Sequence, residues 1–194
     1  AGVDRGLVGA GRHRPGADVL EVGCGTGRLL GPIAGFARRA IGVDLSTGML
    51  AHARRRGLEV VQGSATALPI ASASVDVACA FKVLAHVPDV AGALAEMARV
   101  VRPGGWVVAE FYNARSLRRL VKRVVGARPV SARADEAAVY TRYDRVDQLA
   151  GYLPPTLAWV ATRGVRIVTP AAALHDLPVI GGWLGRAERA AADR

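Results

Sequence analysis

Short apolar runs alternate with amphipathic segments over the first 112 residues, and this pattern predicts strands and helices in turn. Each run is short enough to be a buried strand, and the segment after it often carries apolar residues at helical spacing. The predicted strands are DVLEVGC (18–24), AIGVD (40–44), LEVVQG (58–63), VDVACAF (75–81) and WVVAEFY (106–112). The predicted helices cover 28–38, the segment from the N-cap Ser46 to Gly57, and the segment from about Pro88 to RPGG at 102–105.

This alternation of strand and helix predicts an α/β fold with a doubly wound, mainly parallel sheet and helices on both faces. Sheets of this kind bind ligands beyond the carboxyl ends of their strands, where the strand order reverses. We therefore expect the functional residues at the strand ends. These ends are Gly23–Gly27, Asp44, Ser64, Phe81–His86 and Phe111–Asn113.

The second half of the chain has a weaker pattern. It predicts a helix that begins at Ser116 and a loop or partly ordered lid over 126–140. A short helix is predicted over 143–153, and the two prolines that follow it end it. Residues 157–168 are strand-like, and the tail after them is weakly helical.

Composition narrows the class of protein. Hydrophobic residues make up 51% of the 194, which is enough for one domain with a sizeable core. No apolar run reaches the roughly 18 residues that a membrane span needs, and we expect no secretory leader. Cys24 and Cys79 are too few for a disulfide framework, so we expect reduced thiols in a cytoplasmic protein.

The net charge of +10 raises the question of a nucleic-acid partner. However, only Lys82 and Lys122 among the 26 basic residues are lysines. The arginines cluster at predicted helix ends over 37–39 and 53–56, where cations favour the helix dipole. Nucleic acid is therefore not the expected partner.

The glycine loop GCGTG at 23–27 follows the first predicted strand. A phosphate-binding P-loop needs glycine followed by a lysine and a hydroxyl residue, and this pair is absent. A dinucleotide-binding loop needs a third glycine where Arg28 stands, which disfavours a nicotinamide or flavin cofactor without excluding it. The remaining candidate is S-adenosylmethionine (SAM). A Cβ at Gly23 or Gly25 would intrude on the space of its sulfonium and amino-acid tail.

Two acidic residues accompany this loop. Glu21 precedes it and can face the ammonium group of the SAM tail, directly or through water. Asp44 ends the second predicted strand, where the two oxygens of a carboxylate suit the two ribose hydroxyls.

Four blocks of the sequence resemble the class I SAM-dependent methyltransferases of the small-molecule type, in the family's order and spacing. They are VLEVGCGTG (19–27), IGVDLSTGML (41–50), GSATALPIASASVDVACAFKVLAHVPD (63–89) and RVVRPGGWVVAEF (99–111). The resemblance implies a Rossmann-like fold in which 1–194 form a single SAM-binding domain. Within it, 18–112 form the core, 113–156 a variable substrate or lid region, and 157–194 a C-terminal strand and tail.

The resemblance also implies which residues hold the cofactor. The methionine side is assigned to Glu21, Gly23, Cys24, Gly25 and Gly27, and the adenosine side to Asp44, Leu45, Met49, Ser64, Ala65 and Phe81. One position departs from the family, which usually has Gly-Asp where this chain has Gly63 and Ser64. Because a serine oxygen is a neutral acceptor on a shorter side chain, we expect about tenfold weaker cofactor binding.

His86 lies where the family commonly has a histidine, and it is the candidate general base. The alternative is that it caps or buttresses the next helix. Tyr112, Asn113, Tyr140 and Tyr143 are the substrate-pocket candidates, although the tyrosines can instead pack the lid against the body. No cluster of His, Asp and Cys has metal-ligand spacing, so we expect a metal-independent enzyme.

The resulting prediction is an enzyme that transfers a methyl group from SAM to a small-molecule acceptor by in-line displacement. The alternatives are an RNA methyltransferase and a non-catalytic SAM-fold partner subunit. Base methylation is disfavoured because FKVLAH (81–86) stands where the Asn/Asp-Pro-Pro-aromatic turn of such enzymes would lie.

The end of the chain departs from the family, whose sheet normally has a sixth strand and an antiparallel seventh. Residues 157–168 can supply the sixth strand, but no apolar run follows that could supply the seventh. We therefore expect the native chain to extend beyond both ends or to contain disordered segments.

Overall fold

The computed structural model describes residues 16–114, 129–131, 134–135 and 140–164. Its strands are β1 (Asp18–Val22), β2 (Arg39–Asp44), β3 (Glu59–Gln62), β4 (Val75–Ala80), β5 (Val101–Ala109), β6 (Pro129–Ser131) and β7 (Ala134–Asp135). Its helices are α1 (Leu30–Ala34), α2 (Thr47–Arg55), α3 (Val90–Val100) and α4 (Val146–Leu149), with 3-10 turns at Leu84–His86 and Ala150–Tyr152. Up to β5 the order of elements is the predicted one, and a loop joins β3 to β4.

The main sheet has the strand order β3-β2-β1-β4-β5, and all its neighbouring strands are parallel. The strand order reverses at β1, where Glu21 is in register with Gly42 of β2 and with Cys79 of β4. Because parallel strands end at the same edge, the loops after β1, β2 and β4 meet there. The predicted α/β class is confirmed, and the glycine loop lies at the switch point.

Two clusters of buried side chains hold the helices to the sheet. Met97 of α3 and Leu20 of β1 are fully buried in the larger cluster. Leu30 of α1, Leu50 of α2 and Cys24 form the smaller one. The apolar residues at helical spacing therefore pack the helices onto a sheet of short apolar strands, as the sequence predicts.

The backbone at Gly42 in β2 shows that these clusters lie on opposite faces. Its neighbours Ile41 and Val43 belong to the larger cluster. A Cβ at Gly42 would lie 2.5 Å from Cys24 Sγ and 2.7 Å from Leu30 Cδ2, in the smaller cluster. Because successive side chains of a strand point to opposite faces, helices cover both sides of the sheet, as predicted.

Helices α2 and α3 begin with side-chain caps. The hydroxyl of Ser46 accepts a hydrogen bond from Met49 N at 3.3 Å, and the carboxylate of Asp89 accepts one from Gly92 N at 2.8 Å. Such bonds satisfy backbone N–H groups that lack a partner within the helix. After α2 the chain turns at Gly57, whose φ is +74°, so both predicted ends of this helix are confirmed.

Helix α1 is shorter than the predicted segment 28–38. Only Leu30–Ala34 are helical, and the N–H of Gly35 donates to Pro32 O at 3.2 Å, which closes the helix. Gly31 and Pro32 both have poor helix propensity, although proline is tolerated in a first turn. Local propensity therefore limits the length of this helix despite its apolar spacing.

Strand β5 begins earlier than predicted. Val101 already pairs with Val75, and the next pair in the register is Val77 with Trp106. The RPGG segment at 102–105, predicted to separate helix from strand, therefore forms a bulge within β5. Arg102 accounts for this bulge, because its guanidinium donates to Asp76 Oδ1 at 2.9 Å and to the Ser74 carbonyl at 2.7 Å.

The second half of the chain corrects two other predictions. Residues 126–140 were predicted as a loop or lid, but β6 and β7 within this range pair antiparallel. Residues 157–164 have no regular secondary structure, although 157–168 were predicted as a strand. A strand needs a neighbouring strand for its backbone hydrogen bonds, whereas Leu157 N donates to Pro154 O at 3.0 Å, only three residues earlier. The remainder of that prediction and the helix from Ser116 lie outside the described residues.

The short predicted helix over 143–153 is confirmed as α4 with the 3-10 turn that follows it. Leu149 is 6% exposed, and Tyr152 and Leu153 pack against the larger core cluster. Among the helices of the described ranges, none is long and apolar enough to cross a membrane.

The described residues divide into two compact units. The first contains those up to Phe111 together with Gln148–Ala158, and the second contains those from Tyr112 to Asp147 and from Trp159 onward. The whole main sheet belongs to the first unit. The assignment of 1–194 to a single SAM-binding domain stays a prediction.

The side chain of Arg99 on α3 fastens the long loop between β3 and β4 to the body. Its guanidinium pairs with Glu96, one turn earlier, at 2.7 Å, and Glu96 Oε2 also accepts from Leu68 N at 2.8 Å. The backbone and hydroxyl acceptors of Arg99 in the loop are Leu68 O, Ile70 O and Ser72 Oγ, at 3.0, 2.9 and 3.1 Å. One side chain thus replaces the crossover helix that usually covers such a connection.

We predict that Arg99→Met lowers the free energy of unfolding by about 1–3 kcal/mol, since several charged hydrogen bonds to the loop are lost. Denaturant unfolding measures this loss. The control is Arg39→Met, because Arg39 pairs only with the exposed Glu59 and such pairs contribute little. Equal effects of the two substitutions would contradict the role assigned to Arg99.

Candidate functional site

The glycine loop after β1 adopts a backbone that other residues rarely adopt. Gly23, Gly25 and Gly27 have φ angles of +72°, +54° and +75°. In this left-handed region an L side chain is strained, so all three positions favour glycine through their backbone alone. Their surroundings differ in how much space each leaves for a side chain.

Neighbouring side chains fill the space beside two of these glycines. A Cβ at Gly23 would lie 2.5 Å from Val83 Cγ2, and one at Gly27 would overlap Leu58 Cδ1. A Cβ at Gly25 would meet only Met49 Sδ, at 3.5 Å, which is an ordinary contact. The expectation that a Cβ would intrude on ligand space therefore fits Gly25, whereas at Gly23 the obstacle is a protein side chain.

The carboxylate of Asp44 joins the loop after β1 to the loop after β2. Its Oδ2 accepts from Gly25 N at 2.8 Å, and its Oδ1 accepts from Ser46 N at 2.8 Å. Gly23 N also donates to Val43 O at 2.7 Å. Since each carboxylate oxygen can accept more than one hydrogen bond, Asp44 retains capacity for a ligand.

These loops enclose an open cavity of about 610 Å³ at the carboxyl edge of the sheet, within the usual range for ligand pockets. It is lined by Gly23, Gly25, Asp44, Leu45, Ser46, Met49, Lys82, Val83 and His86. The cavity has two flanks, one at the end of β2 and one at the end of β4, and β1 lies between them. The β2 flank carries the acid Asp44, and the β4 flank carries Lys82 and His86.

The cavity brings together six of the residues singled out in the sequence, which are Gly23, Gly25, Asp44, Leu45, Met49 and His86. The other predicted cofactor residues, Glu21, Cys24, Gly27, Ser64, Ala65 and Phe81, do not line it. Leu45 is 71% exposed and Met49 is 49% exposed. Such exposed apolar side chains beside a cavity are typical of ligand-binding surfaces.

Glu21 lies at the centre of the sheet and is only 2% exposed. Its Oε2 has no hydrogen-bond partner. Burial raises the pKa of this carboxyl to about 7, and the nearby charge of Asp44 raises it further, while the backbone N–H of Leu30 opposes the shift. Its predicted contact with the cofactor ammonium group stays a prediction.

Both cysteines are free and buried. Burial, together with the charges of Glu21 and Asp44, raises the pKa of Cys24 to about 12. Burial also raises the pKa of Cys79, whose thiol lies 3.3 Å from Leu20 O. Both thiols are therefore protonated at neutral pH and unreactive as nucleophiles.

The loop after β3 holds Ser64, which stands where the family has an acid. The Ser64 hydroxyl lies 2.9 Å from the Thr66 hydroxyl and accepts from Thr66 N at 3.2 Å. Ala65 packs against the larger core cluster. Part of the hydrogen-bonding capacity of Ser64 is thus used locally, and the predicted adenine contacts stay predictions.

The four predicted substrate-pocket residues belong to the second unit. The rings of Tyr112 and Tyr143 lie 5.9 Å apart at an interplanar angle of 45°. Asn113 bridges to Asp144, and Tyr140 is 53% exposed. The structure therefore brings Tyr112 and Tyr143 together, and their contact with a substrate stays a prediction.

Sequence reasoning gave no individual role to three residues of the cavity, namely Ser46, Lys82 and Val83, although the last two lie within the strand end 81–86 where functional residues were expected. Ser46 was recognised only as a helix cap. Val83 looked like an ordinary apolar residue, and nothing local reveals that it packs beside Gly23. Lys82 carried a signal, since it is one of two lysines in an arginine-rich chain and directly follows a strand end. Within the described ranges, no group of three or more His, Cys, Asp or Glu side chains could hold a metal ion.

The fold and cavity define an α/β protein that binds a small ligand at the switch point of a parallel sheet. A family model described as "Methyltransferase domain" matches residues 20–109. The ubiquinone biosynthesis O-methyltransferase of Burkholderia vietnamiensis is 32% identical over 159 residues, which cover 78% of this chain and 68% of that protein. The chain belongs to the class I SAM-dependent methyltransferases, and SAM is the cofactor of this family.

Solved structures agree with this assignment. A SAM-dependent methyltransferase of Thermotoga maritima, described as a possible histamine N-methyltransferase, is 26% identical with a TM-score of 0.59, over 72% of this chain and 62% of its own. The chain thus spans less than two thirds of that protein. A SAM-dependent methyltransferase of Mesorhizobium loti has the same fold, with 19% identity and a TM-score of 0.66 over 93% of this chain and 91% of its own.

The residues of the cavity fit SAM. The missing side chain at Gly25 leaves bare backbone facing the cavity, and a Cβ there would occupy part of that space. Asp44 offers carboxylate oxygens to a diol, and Leu45 and Met49 offer apolar surface to a base. The carboxylate acceptor, the apolar surface and the open backbone are three features that suit the ribose, the base and the amino-acid tail of this cofactor.

We predict a graded effect on stability when alanine replaces three glycines of similar φ. Gly57→Ala measures backbone strain alone, about 1–2 kcal/mol, because nothing lies within 4 Å of the added Cβ. Gly25→Ala should cost a similar amount. Gly27→Ala should cost about 1–3 kcal/mol more, since it also overlaps Leu58. Thermal unfolding tests the ranking, and equal losses at all three positions would contradict it.

We predict that Glu21 makes the fold less stable as pH rises. Its folded pKa of about 7 exceeds the unfolded value of 4.5, so its contribution is fully present below pH 4.5 and is lost as pH rises through 7. Between pH 5 and pH 8, ionisation of Glu21 should lower the free energy of unfolding of the wild type by up to about 3 kcal/mol, and Glu21→Gln should abolish this decrease. Unfolding measured at both pH values provides the test.

The control for this prediction is Glu59→Gln. Arg39 lowers the pKa of Glu59, so this group titrates below the pH 5–8 window and its replacement should leave the slope unchanged. A Glu21→Gln variant that keeps the wild-type slope would show that Glu21 is ionised in the fold throughout this range.

Proposed function

We propose that this chain transfers a methyl group from SAM to a small-molecule acceptor by in-line displacement, without a metal ion. The observation that supports this proposal is that Gly25, Asp44 and His86 line one and the same cavity. The Burkholderia relative is named for ubiquinone biosynthesis, which favours a small molecule as acceptor.

Binding of the cofactor would depend mainly on the β2 flank. Each oxygen of Asp44 already accepts one backbone N–H, which fixes the carboxylate in place before a ligand arrives. A fixed carboxylate loses little freedom when ribose hydroxyls donate to it, so less of the interaction energy is lost on binding. Leu45 and Met49 would be covered by the adenosine, which removes exposed apolar surface from water.

When bound, SAM supplies a methyl group on a positively charged sulfur that is already activated for transfer. The chain itself must hold the acceptor in line with that methyl group and exclude water. His86 lies on the β4 flank of the same cavity, and its side chain is exposed there. It can accept a proton from an acceptor hydroxyl or amine, because a neutral imidazole has one ring nitrogen without a hydrogen.

We predict that the full chain binds S-adenosylhomocysteine with micromolar affinity and that Asp44→Ala weakens binding at least tenfold, since the ribose acceptor is lost. Isothermal calorimetry measures both. Asp147→Ala is the matched control, because it removes the same charge from an exposed residue of α4 that pairs with Arg145.

Thermal unfolding of the Asp44→Ala variant must accompany this titration, since the same substitution removes two hydrogen bonds to the loops. A folded variant that binds as tightly as the wild type would contradict the assigned role. A folded wild type that does not bind S-adenosylhomocysteine would contradict the proposed function as a whole.

A further inference from the structure

Lys82 is an unusual residue in an unusual place. It lies two positions after the end of β4, and it lines the cavity on the β4 flank. It is one of two lysines in a chain with 24 arginines. Its φ is +58°, in the left-handed region that non-glycine residues rarely adopt. Strain of this kind in a binding cavity points to a functional side chain.

No carboxylate of the described residues forms an ion pair with the ammonium group of Lys82. Six arginines of the described ranges form ion pairs, namely Arg38, Arg39, Arg99, Arg102, Arg142 and Arg145. Within those same ranges, Lys82 makes no hydrogen bond or ion pair, and it is an exposed residue that lines the cavity. The cavity thus contains a cation with three free donors on a flexible stem.

The acid of the cavity does not neutralise this cation. Asp44 lies on the opposite flank, at the end of β2, and β2 and β4 are separated by two strand spacings, about 10 Å. Its carboxylate is also held by the N–H groups of Gly25 and Ser46. The cavity is therefore polarised, with an acid on the β2 flank and a cation on the β4 flank.

We propose that Lys82 binds a carboxylate at the β4 flank, either the amino-acid carboxylate of the cofactor or a carboxylate of the methyl acceptor. This proposal rests on the proposed function. A ligand whose ribose lies at Asp44 and whose tail crosses the glycine loop extends toward Lys82. An acceptor beside His86 lies on the same flank. The chemistry is the same in both cases, because an ammonium group favours an anionic oxygen in a partly desolvated cavity.

The experiment uses the full chain and compares Lys82→Met with wild type. Calorimetry measures the affinity for S-adenosylhomocysteine and for 5′-methylthioadenosine, which lacks the carboxylate. A second titration adds 4-hydroxybenzoate, or phenol as its uncharged counterpart, to protein saturated with S-adenosylhomocysteine. Lys82→Met should weaken the binding of either S-adenosylhomocysteine or 4-hydroxybenzoate about tenfold. The affinity for the corresponding ligand without a carboxylate, 5′-methylthioadenosine or phenol, should stay unchanged. Lys82→Arg should retain most of the affinity.

Two further variants separate a binding role from general effects. Arg54→Met removes the same charge from an exposed position of α2 outside the cavity, and it should leave every affinity unchanged. Lys82→Gly suits the left-handed backbone, so its thermal midpoint should be no lower than that of the wild type. A loss of affinity in this stable variant assigns the effect to the missing side chain.

The outcomes are distinguishable. A selective loss for S-adenosylhomocysteine supports the cofactor carboxylate, and a selective loss for 4-hydroxybenzoate supports an acceptor carboxylate. Unchanged affinities in Lys82→Met, or an equal loss in Arg54→Met, would overturn the proposal and leave the proposed function intact. Failure of the wild type to bind S-adenosylhomocysteine would overturn both.

Discussion

The carboxylate of Asp44 holds together the loops from which the cavity is built. By accepting the N–H groups of Gly25 and Ser46, it links the end of β1 to the start of α2 across two neighbouring strands. A charged acceptor that satisfies two backbone donors is a stronger tether than a neutral one. The loop after β1 is thus held by Asp44 together with the hydrogen bonds that Gly23 N and Cys24 N donate to Val43 O.

The three loop glycines are required for two different reasons, which are the backbone angle and the space beside the backbone. All three have positive φ angles, but Gly23 and Gly27 also lie against Val83 and Leu58. Only Gly25 leaves open space at the cavity. The loop is therefore a closely packed turn in which Gly23 and Gly25 both line the cavity, and the assignment of its residues to the cofactor stays a prediction.

The charged groups of the site differ in how deeply they are buried and in which flank of the cavity they occupy. Glu21 lies buried in the sheet with a raised pKa, whereas Asp44 and Lys82 line the cavity on opposite sides of β1. Burial raises the pKa of Glu21, and the nearby charge of Asp44 raises it further. The buried carboxyl of Glu21 thus lies at the switch point, where the strand order reverses and where parallel sheets bind their ligands.

The sequence by itself determined the order of elements up to β5, the glycine loop, the helix cap at Ser46 and the acid Asp44, because periodicity, capping and turn chemistry are local. Tertiary structure decided the rest. The bulge at RPGG follows from Arg102 reaching Asp76, and β6 and β7 exist through their pairing. Whether a strand-end residue such as Lys82 or Ser64 lines the cavity depends on how distant loops meet, which a local pattern does not encode.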